Sequence, residues 1–427
     1  MKRSSSGIQG EAGTRKALHA LLLALAIGLG AWLRVDFLVS VSHHVTHDTK
    51  NYDIMVRQLL EQGVYGYKSI EPNAQVTPGY PLFMAAMYEL AGYETRDPYP
   101  LIRFVQAGIA TAMLGLVYAL GRLVAGRWTA LAAALMAAVY PPFVWASGGV
   151  LTETLAAFLL MAYVCLQLLA LRRGGRWLHL LAGAVLGLTV LTRAEFLPLI
   201  ALAYAAQWLW TRDWRATARQ LALGACGLAI MLSPWVVRNA VTLGELIVTS
   251  TQQNPFAAGT YPDKNYADGL VDRAGKSQLE VARERLRVGF TEHTGEFVRW
   301  YTIGKLDYTY SRMFYGAGHE PHYPVLPVPW ELRNAYHRLI VGAGVAALVA
   351  MLRRWRHPAL LPAAIVLAMS ALRLLFVPEY RYNFTVMPLF IVLDAAAAGL
   401  AWSWWKGRRA AREPRPDRSK LKEVQEG

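Results

Sequence analysis

Long apolar runs, nearly free of charge, constrain this chain more than any other feature. They cover residues 17–32, 107–120, 128–146, 154–171, 178–191, 216–237, 339–352, 359–372 and 384–402. A shorter and weaker run covers 196–210. Several approach the roughly 20 residues that a membrane-spanning helix needs, and the shorter ones extend through flanking aromatics or tilt. Across the 427 residues, 55% are hydrophobic and 17% charged. A soluble chain carries about 25% charge. The expected fold is therefore an all-α polytopic membrane protein with about ten transmembrane helices.

The formal charge of +15 would suggest nucleic acid in a soluble protein. Here the charge sits in short loops: Arg122 and Arg127; Arg172, Arg173 and Arg176; Arg212, Arg215 and Arg219; Arg353, Arg354 and Arg356. Lys2, Arg3, Arg15 and Lys16 precede the first run, and Lys406, Arg408 and Arg409 follow the last. Basic residues in every second loop mark the cytoplasmic side, so no nucleic-acid partner is expected. A cleaved signal peptide, ending near Val39-Ser40-Val41-Ser42, is the rival reading of the first run. Cys165 and Cys226 lie inside apolar runs and imply no disulfide framework.

This topology divides the chain into a cytoplasmic tail (1–16), a transmembrane bundle (17–238) and an outer segment (239–334). C-terminal transmembrane helices (335–405) and a disordered cytoplasmic tail (406–427) follow. Within the bundle lies a first outer loop, about 34–103. Tyr52, Met55, Val56, Leu59, Leu60 and Val64 recur there at helical spacing, which predicts an amphipathic juxtamembrane helix. Pro78-Gly79-Tyr80-Pro81 opens a second, interfacial or re-entrant helix. The outer segment reads as a small α/β unit, with a strand-like stretch at 246–249 and a helix over about 278–314.

Five polar clusters sit at the ends of apolar runs, all on the outer side by this count. They are residues 47–52, Thr152-Glu153, 192–195, Arg238-Asn239 and 378–382. Charged groups at a membrane face are costly, and a bundle that retains them uses them. Asp48, four residues before Tyr52 and sharing its helical face, is a candidate general base. Its bland role is a helix cap. Glu153 is a second candidate catalytic acid, with a first-turn dipole role as the alternative. Arg193 suits an anionic lipid phosphate, which a guanidinium matches with paired donors. It also has Glu195 beside it as an ion-pair partner. Arg238 follows Pro234-Trp235 as a snorkelling arginine in an aromatic belt would, Arg381 stands in the turn between the last two runs, and Lys305 lies among the aromatics of the outer helix as a further cation open to a donor phosphate. Asp53, Glu379 and Tyr382 complete the supporting set, and Arg373 lies deeper in its run. His43, His44 and His47 fit no closed zinc spacing, so no metal is expected. No nucleotide-binding or hydrolase fingerprint is present, which points to an already activated donor and no cofactor.

These motifs resemble, in order, the type C glycosyltransferases, closest to the group of protein O-mannosyltransferases and lipid A aminoarabinose transferases. The resemblance rests on Asp48 with Tyr52, Leu59 and Gly63, then Thr77-Pro78-Gly79-Tyr80-Pro81 and Leu151-Thr152-Glu153. It continues through Gly187 to Arg193, Ser233-Pro234-Trp235 with Arg238-Asn239, residues 282–305, and Glu379 to Tyr382 with Pro388. It implies a polyprenyl-phosphate-linked sugar donor in the membrane lipid. The acceptor would be a glycan, lipid or protein, and transfer would occur on the outer face of the inner (plasma) membrane. Asp48 would be the catalytic carboxylate, and Arg193, Arg238 and Arg381 phosphate contacts. Asp53 contends with Asp48 for the first role. No large soluble C-terminal domain of the oligosaccharyltransferase kind follows, so a single sugar is expected to move, with inversion. The alternatives are a transporter or flippase for a lipid-linked or anionic substrate, and a lipid-linked glycan ligase. A transporter would place its polar groups near the midplane, and these gather at one face.

Overall fold

The computed structural model describes residues 4–316 and 323–412. The chain opens with α1 (Ser4–Ser40), one helix that runs through the first apolar stretch. Then come α2 (His47–Gln62), α3 (Gly79–Ala91), α4 (Tyr99–Val124), α5 (Arg127–Ala138) and the short α6 (Pro141–Trp145). The central bundle continues with α7 (Glu153–Arg173), α8 (Arg176–Thr192), α9 (Leu199–Thr211) and α10 (Trp214–Leu243). The outer segment holds α11 (Asn254–Ala258), α12 (Gln278–Glu292), α13 (Thr294–Arg299) and α14 (Lys305–Tyr310). Three helices close the fold: α15 (Trp330–Arg353), α16 (Leu360–Leu375) and α17 (Met387–Arg412).

Two expectations about the fold need correction. The first is the count of about ten spanning helices. Among the described residues six helices are long and apolar enough to cross: α4, α7, α10, α15 and most of α1 and α17. The total is seven if α5 and the turn after it form one span bent by 61°. The bend falls at Pro141-Pro142, which supply no amide donors to continue the helix. The runs at 178–191 and 359–372 do form helices, α8 and α16, of 17 and 16 residues. At 1.5 Å per residue each is about 25 Å long, short of the roughly 30 Å hydrocarbon core. With 13 residues, α9 is shorter still.

The second correction concerns the α/β outer segment. No strand occurs among the described residues. The stretch at 246–249 finds no partner backbone. Side chains of α10 take its carbonyls instead: Trp235 Nε1 donates to Thr249 and Asn239 Nδ2 to Ile247. The long outer helix expected at 278–314 is broken at His293 and passes through a π-helical turn at Trp300–Gly304. In the C-terminal region α17 stays helical to Arg412, and the rest of the expected disordered tail (413–427) lies outside the described residues.

Close backbone approach builds the bundle. A methyl group on Gly183 of α8 would lie 1.9 Å from the Gly224 carbonyl oxygen of α10, and one on Gly227 would lie 2.0 Å from that of Leu180. Such small-residue contacts are how membrane helices gain van der Waals packing without a hydrophobic drive. Gly79, at the start of α3, sits likewise against the backbone of Leu191 and Thr192 at the end of α8. The first outer loop is thereby pinned to the end of the bundle where the polar clusters lie.

Candidate active site

Residues from distant parts of the chain line a cavity of about 660 Å³ at that end. Helix α2 contributes first. Thr46 caps it, its Oγ1 accepting from the Thr49 amide at 3.1 Å, so Asp48 is free of the capping role. The Asp48 carboxylate instead accepts from Arg381 Nη1 at 2.6 Å. Tyr52, one turn on, lines the cavity with its ring packed between those of Tyr67 and Tyr80. Burial raises the Tyr67 hydroxyl to about 12, and it stays protonated at neutral pH.

A chain of acids and arginines forms the cavity wall. Glu153, the first residue of α7, is 2% exposed and accepts from Arg193 Nη1 at 3.0 Å. Arg193 ends α8 in extended backbone and donates through Nε to Glu195 at 3.1 Å and through Nη1 to Thr152 Oγ1 at 3.1 Å. Arg373, on the last turns of α16, holds both oxygens of Glu195, with Nη2 to Oε1 at 2.9 Å. Arg381 Nε lies 3.9 Å from Glu153 Oε1. All three guanidiniums face the Tyr382 ring: Arg373 at 4.7 Å, Arg193 at 5.1 Å and Arg381 at 5.4 Å from its centroid.

Three arginines thus meet three carboxylates around one aromatic ring. Each buried ion costs several kcal/mol unless it is paired and hydrogen-bonded, and this lattice supplies both. Burial alone would raise the Glu195 carboxyl. Arg193 and Arg373 overcome that and hold it at about 2. Burial likewise opposes the charges of Arg193 and Arg381, and their carboxylate neighbours push both the other way, above the ordinary arginine range.

Four of the five polar clusters line this cavity. The fifth does not. Arg238 lies 5.2 Å and 5.3 Å from the ring centroids of Tyr65 and Trp235 and donates to the carbonyls of Asn73 and Tyr65 and to Asn239 Oδ1. It tethers the 63–77 loop to α10. Asp53 also faces elsewhere, accepting from Tyr88 Oη at 2.5 Å and Arg57 Nε at 3.1 Å. Lys305 is fully buried, with Nζ donating to the Leu374 carbonyl at 2.8 Å and 3.7 Å from the Tyr301 ring centroid. Burial lowers its ammonium to about 7. Glu379 lines the cavity and pairs with Lys264.

Arg373, Lys264, Tyr67 and Tyr266 also line the cavity or its rim, with no role assigned to them from sequence. An arginine within an apolar run was signal enough to nominate Arg373. The other three lie in irregular loops, where no periodicity marks them. Among the described residues no three His, Cys, Asp or Glu side chains gather into a metal-holding group.

The helical fold is similar to that of solved oligosaccharyltransferases, and part of the chain matches a glycosyltransferase family model. Residues 75–237 match the family model described as dolichyl-phosphate-mannose-protein mannosyltransferase. The oligosaccharyltransferase of Archaeoglobus fulgidus, tethered to an acceptor peptide, is similar in fold with TM-score 0.60 at 14% identity. That likeness covers 94% of this chain and 52% of the other. The archaeal oligosaccharyltransferase AglB from Archaeoglobus fulgidus, in complex with an inhibitory peptide and a dolichol-phosphate, gives TM-score 0.57 at 16% identity over 94% and 53%. ArnT from Cupriavidus metallidurans in the apo state gives TM-score 0.44 at 16% identity over 90% and 78%. The chain spans about half the length of the oligosaccharyltransferases it matches. Among curated proteins, none matches it in sequence.

Proposed function

We propose that this chain is an integral-membrane glycosyltransferase that moves a single sugar from a polyprenyl-phosphate donor to an acceptor hydroxyl. Transfer takes place at the outer face of the inner membrane. One observation carries the reading: Asp48 is held by Arg381 in the same cavity as Arg193 and Arg373. A carboxylate base is thereby set among fixed cations at the end of a helical bundle. The AglB complex of similar fold holds a dolichol-phosphate, a polyprenyl phosphate, which supports a ligand of that class here.

The donor's isoprenoid tail lies among the helices and its phosphate enters the cavity. Asp48 accepts the proton of the acceptor hydroxyl, whose oxygen bonds to the anomeric carbon. The bond from that carbon to the phosphate oxygen breaks, and polyprenyl phosphate departs as a dianion. Arg193, Arg373 and Arg381 stabilise the growing charge, and preorganised groups of this kind are usually the largest catalytic contribution. They are prepaired with Glu153 and Glu195, so their positions do not reorganise during the reaction. A base on one side and the leaving phosphate on the other give inversion.

Asp48→Asn tests the assignment. It retains the shape of the side chain and removes the base, so transfer falls by about 10² to 10⁴ while the protein stays inserted and folded. Transfer at the wild-type rate, measured with a radiolabelled polyprenyl-phosphate sugar and native membrane acceptor, would remove Asp48 from the mechanism.

A further inference from the structure

A second cavity, of about 430 Å³, lies on the outer segment beside the first. Three elements build it: the turn around Asp263, the helical stretch from Arg299 to Arg312, and Tyr380. The 3-10 turn Tyr380–Tyr382 is shared between the two cavities. Tyr380 faces the second, and Arg381 and Tyr382 face the first. Lys264 stands at the partition, bonded to Glu379 and 5.1 Å from the Tyr308 ring centroid.

The lining of this second cavity is unlike that of the first. Tyr308 and Tyr380 stack with centroids 5.1 Å apart and planes 11° from parallel, and their hydroxyls lie 3.2 Å apart. Both signs of charge are present. Asp263 and Arg299 pair in solvent, each 61% exposed. Among the described residues the Asp307 carboxylate has no ion-pair partner, and the Arg312 guanidinium lies 5.8 Å from the Tyr380 ring centroid. The wall includes part of the π-helical turn Trp300–Gly304, and such turns recur at functional sites.

We propose that this cavity binds the sugar rings of a glycan acceptor and delivers one hydroxyl across the partition to Asp48. The proposal rests on the glycosyltransferase reading above. Carboxylates accept from the hydroxyls of a sugar ring, and guanidinium and tyrosine hydroxyl donate to its oxygens. The net charge of the four ionic groups is zero, which suits a neutral polyhydroxylated ligand over a phosphate. A peptide acceptor fits less well. Ile303 is the sole aliphatic side chain of any size in the lining, and no strand edge exists among the described residues to pair with an extended chain.

The test uses the full chain in nanodiscs and two separate probes. Saturation-transfer NMR with a set of methyl hexopyranosides and short soluble oligosaccharides reports on the second cavity. Binding of undecaprenyl phosphate reports on the first. Wild type should transfer saturation to the ring protons of at least one glycoside. Asp307→Asn and Arg312→Gln should each weaken that ligand by about tenfold, the usual loss for one hydrogen bond to a charged group. Retained undecaprenyl phosphate binding in both variants shows that they are folded. Glycoside binding unchanged in both variants, or absent in wild type, overturns the proposal. So does a Ser/Thr-containing peptide that binds in wild type and is lost in the variants while no glycoside binds. Failure of undecaprenyl phosphate to bind wild type, with glycoside binding intact, counts against the donor reading alone.

Discussion

Glu195 is where the physical account of the site is most exposed to measurement. Its carboxylate bridges Arg193 and Arg373, and their charge holds it at about 2 against an ordinary glutamate value of 4.5. At about 1.4 kcal/mol per tenfold change, that difference corresponds to roughly 3 kcal/mol of folding stability. Its side chain is 15% exposed, so solvent screening removes little of this. Glu195→Gln keeps the volume and removes the charge. It leaves Arg373 without a carboxylate partner among the described residues and Arg193 with Glu153, the situation in which a broken buried pair costs about 3–5 kcal/mol. The folded-state value is depressed, so the contribution is fully present above about pH 4.5 and is lost as pH falls toward 2. By about pH 3 less than half of it remains. The assay is equilibrium unfolding in mixed micelles, followed by circular dichroism and extrapolated linearly, for wild type, Glu195→Gln, Arg373→Gln and the double variant. A loss for Glu195→Gln below about 0.5 kcal/mol at pH 7, the scale of an ordinary surface change, would refute the reasoning. So would a loss of equal size at pH 7 and pH 3.

Three further outcomes follow from the structure. Arg193→Ala should weaken undecaprenyl phosphate by about tenfold or more, because it removes a guanidinium of the kind that binds phosphate with paired donors. Unchanged affinity would place the donor phosphate elsewhere. Lys305→Met should stabilise the protein most below pH 7, where the buried ammonium is charged. The gain should shrink between about pH 7 and 10.5, because the unfolded chain there holds a proton that the folded chain has released. A difference independent of pH would contradict this. Gly183→Val should cost at least about 1–3 kcal/mol, since its side chain would meet the Gly224 carbonyl. Wild-type stability in the same unfolding assay would mean that α8 and α10 separate readily.

Much of the site was legible in the sequence because cost is visible there. A carboxylate or arginine at the end of an apolar run is a local statement, and Asp48, Glu153, Arg193, Glu195, Glu379, Arg381 and Tyr382 could all be nominated from it. Each lines the cavity. The same signal could not separate Arg238 from Arg373. Both lie at or near the ends of apolar runs, yet one is satisfied by loop carbonyls and the other by Glu195. Asp48 and Asp53 were equally ambiguous. They stand five residues apart on one helix, which turns Asp53 toward Tyr88 and Asp48 toward Arg381.

By itself the sequence determined that this chain is helical and membrane-embedded, because apolar runs of that length leave a backbone no other way to satisfy its hydrogen bonds. It also determined which ends of those runs carry charge. Tertiary structure decided how many helices are long enough to cross, since prolines and breaks at 141–142 and 193–198 end helices that composition alone would continue. It decided, too, which charges meet. Pairing depends on contacts between residues as far apart as 48 and 381, and no local pattern encodes a distance of that kind.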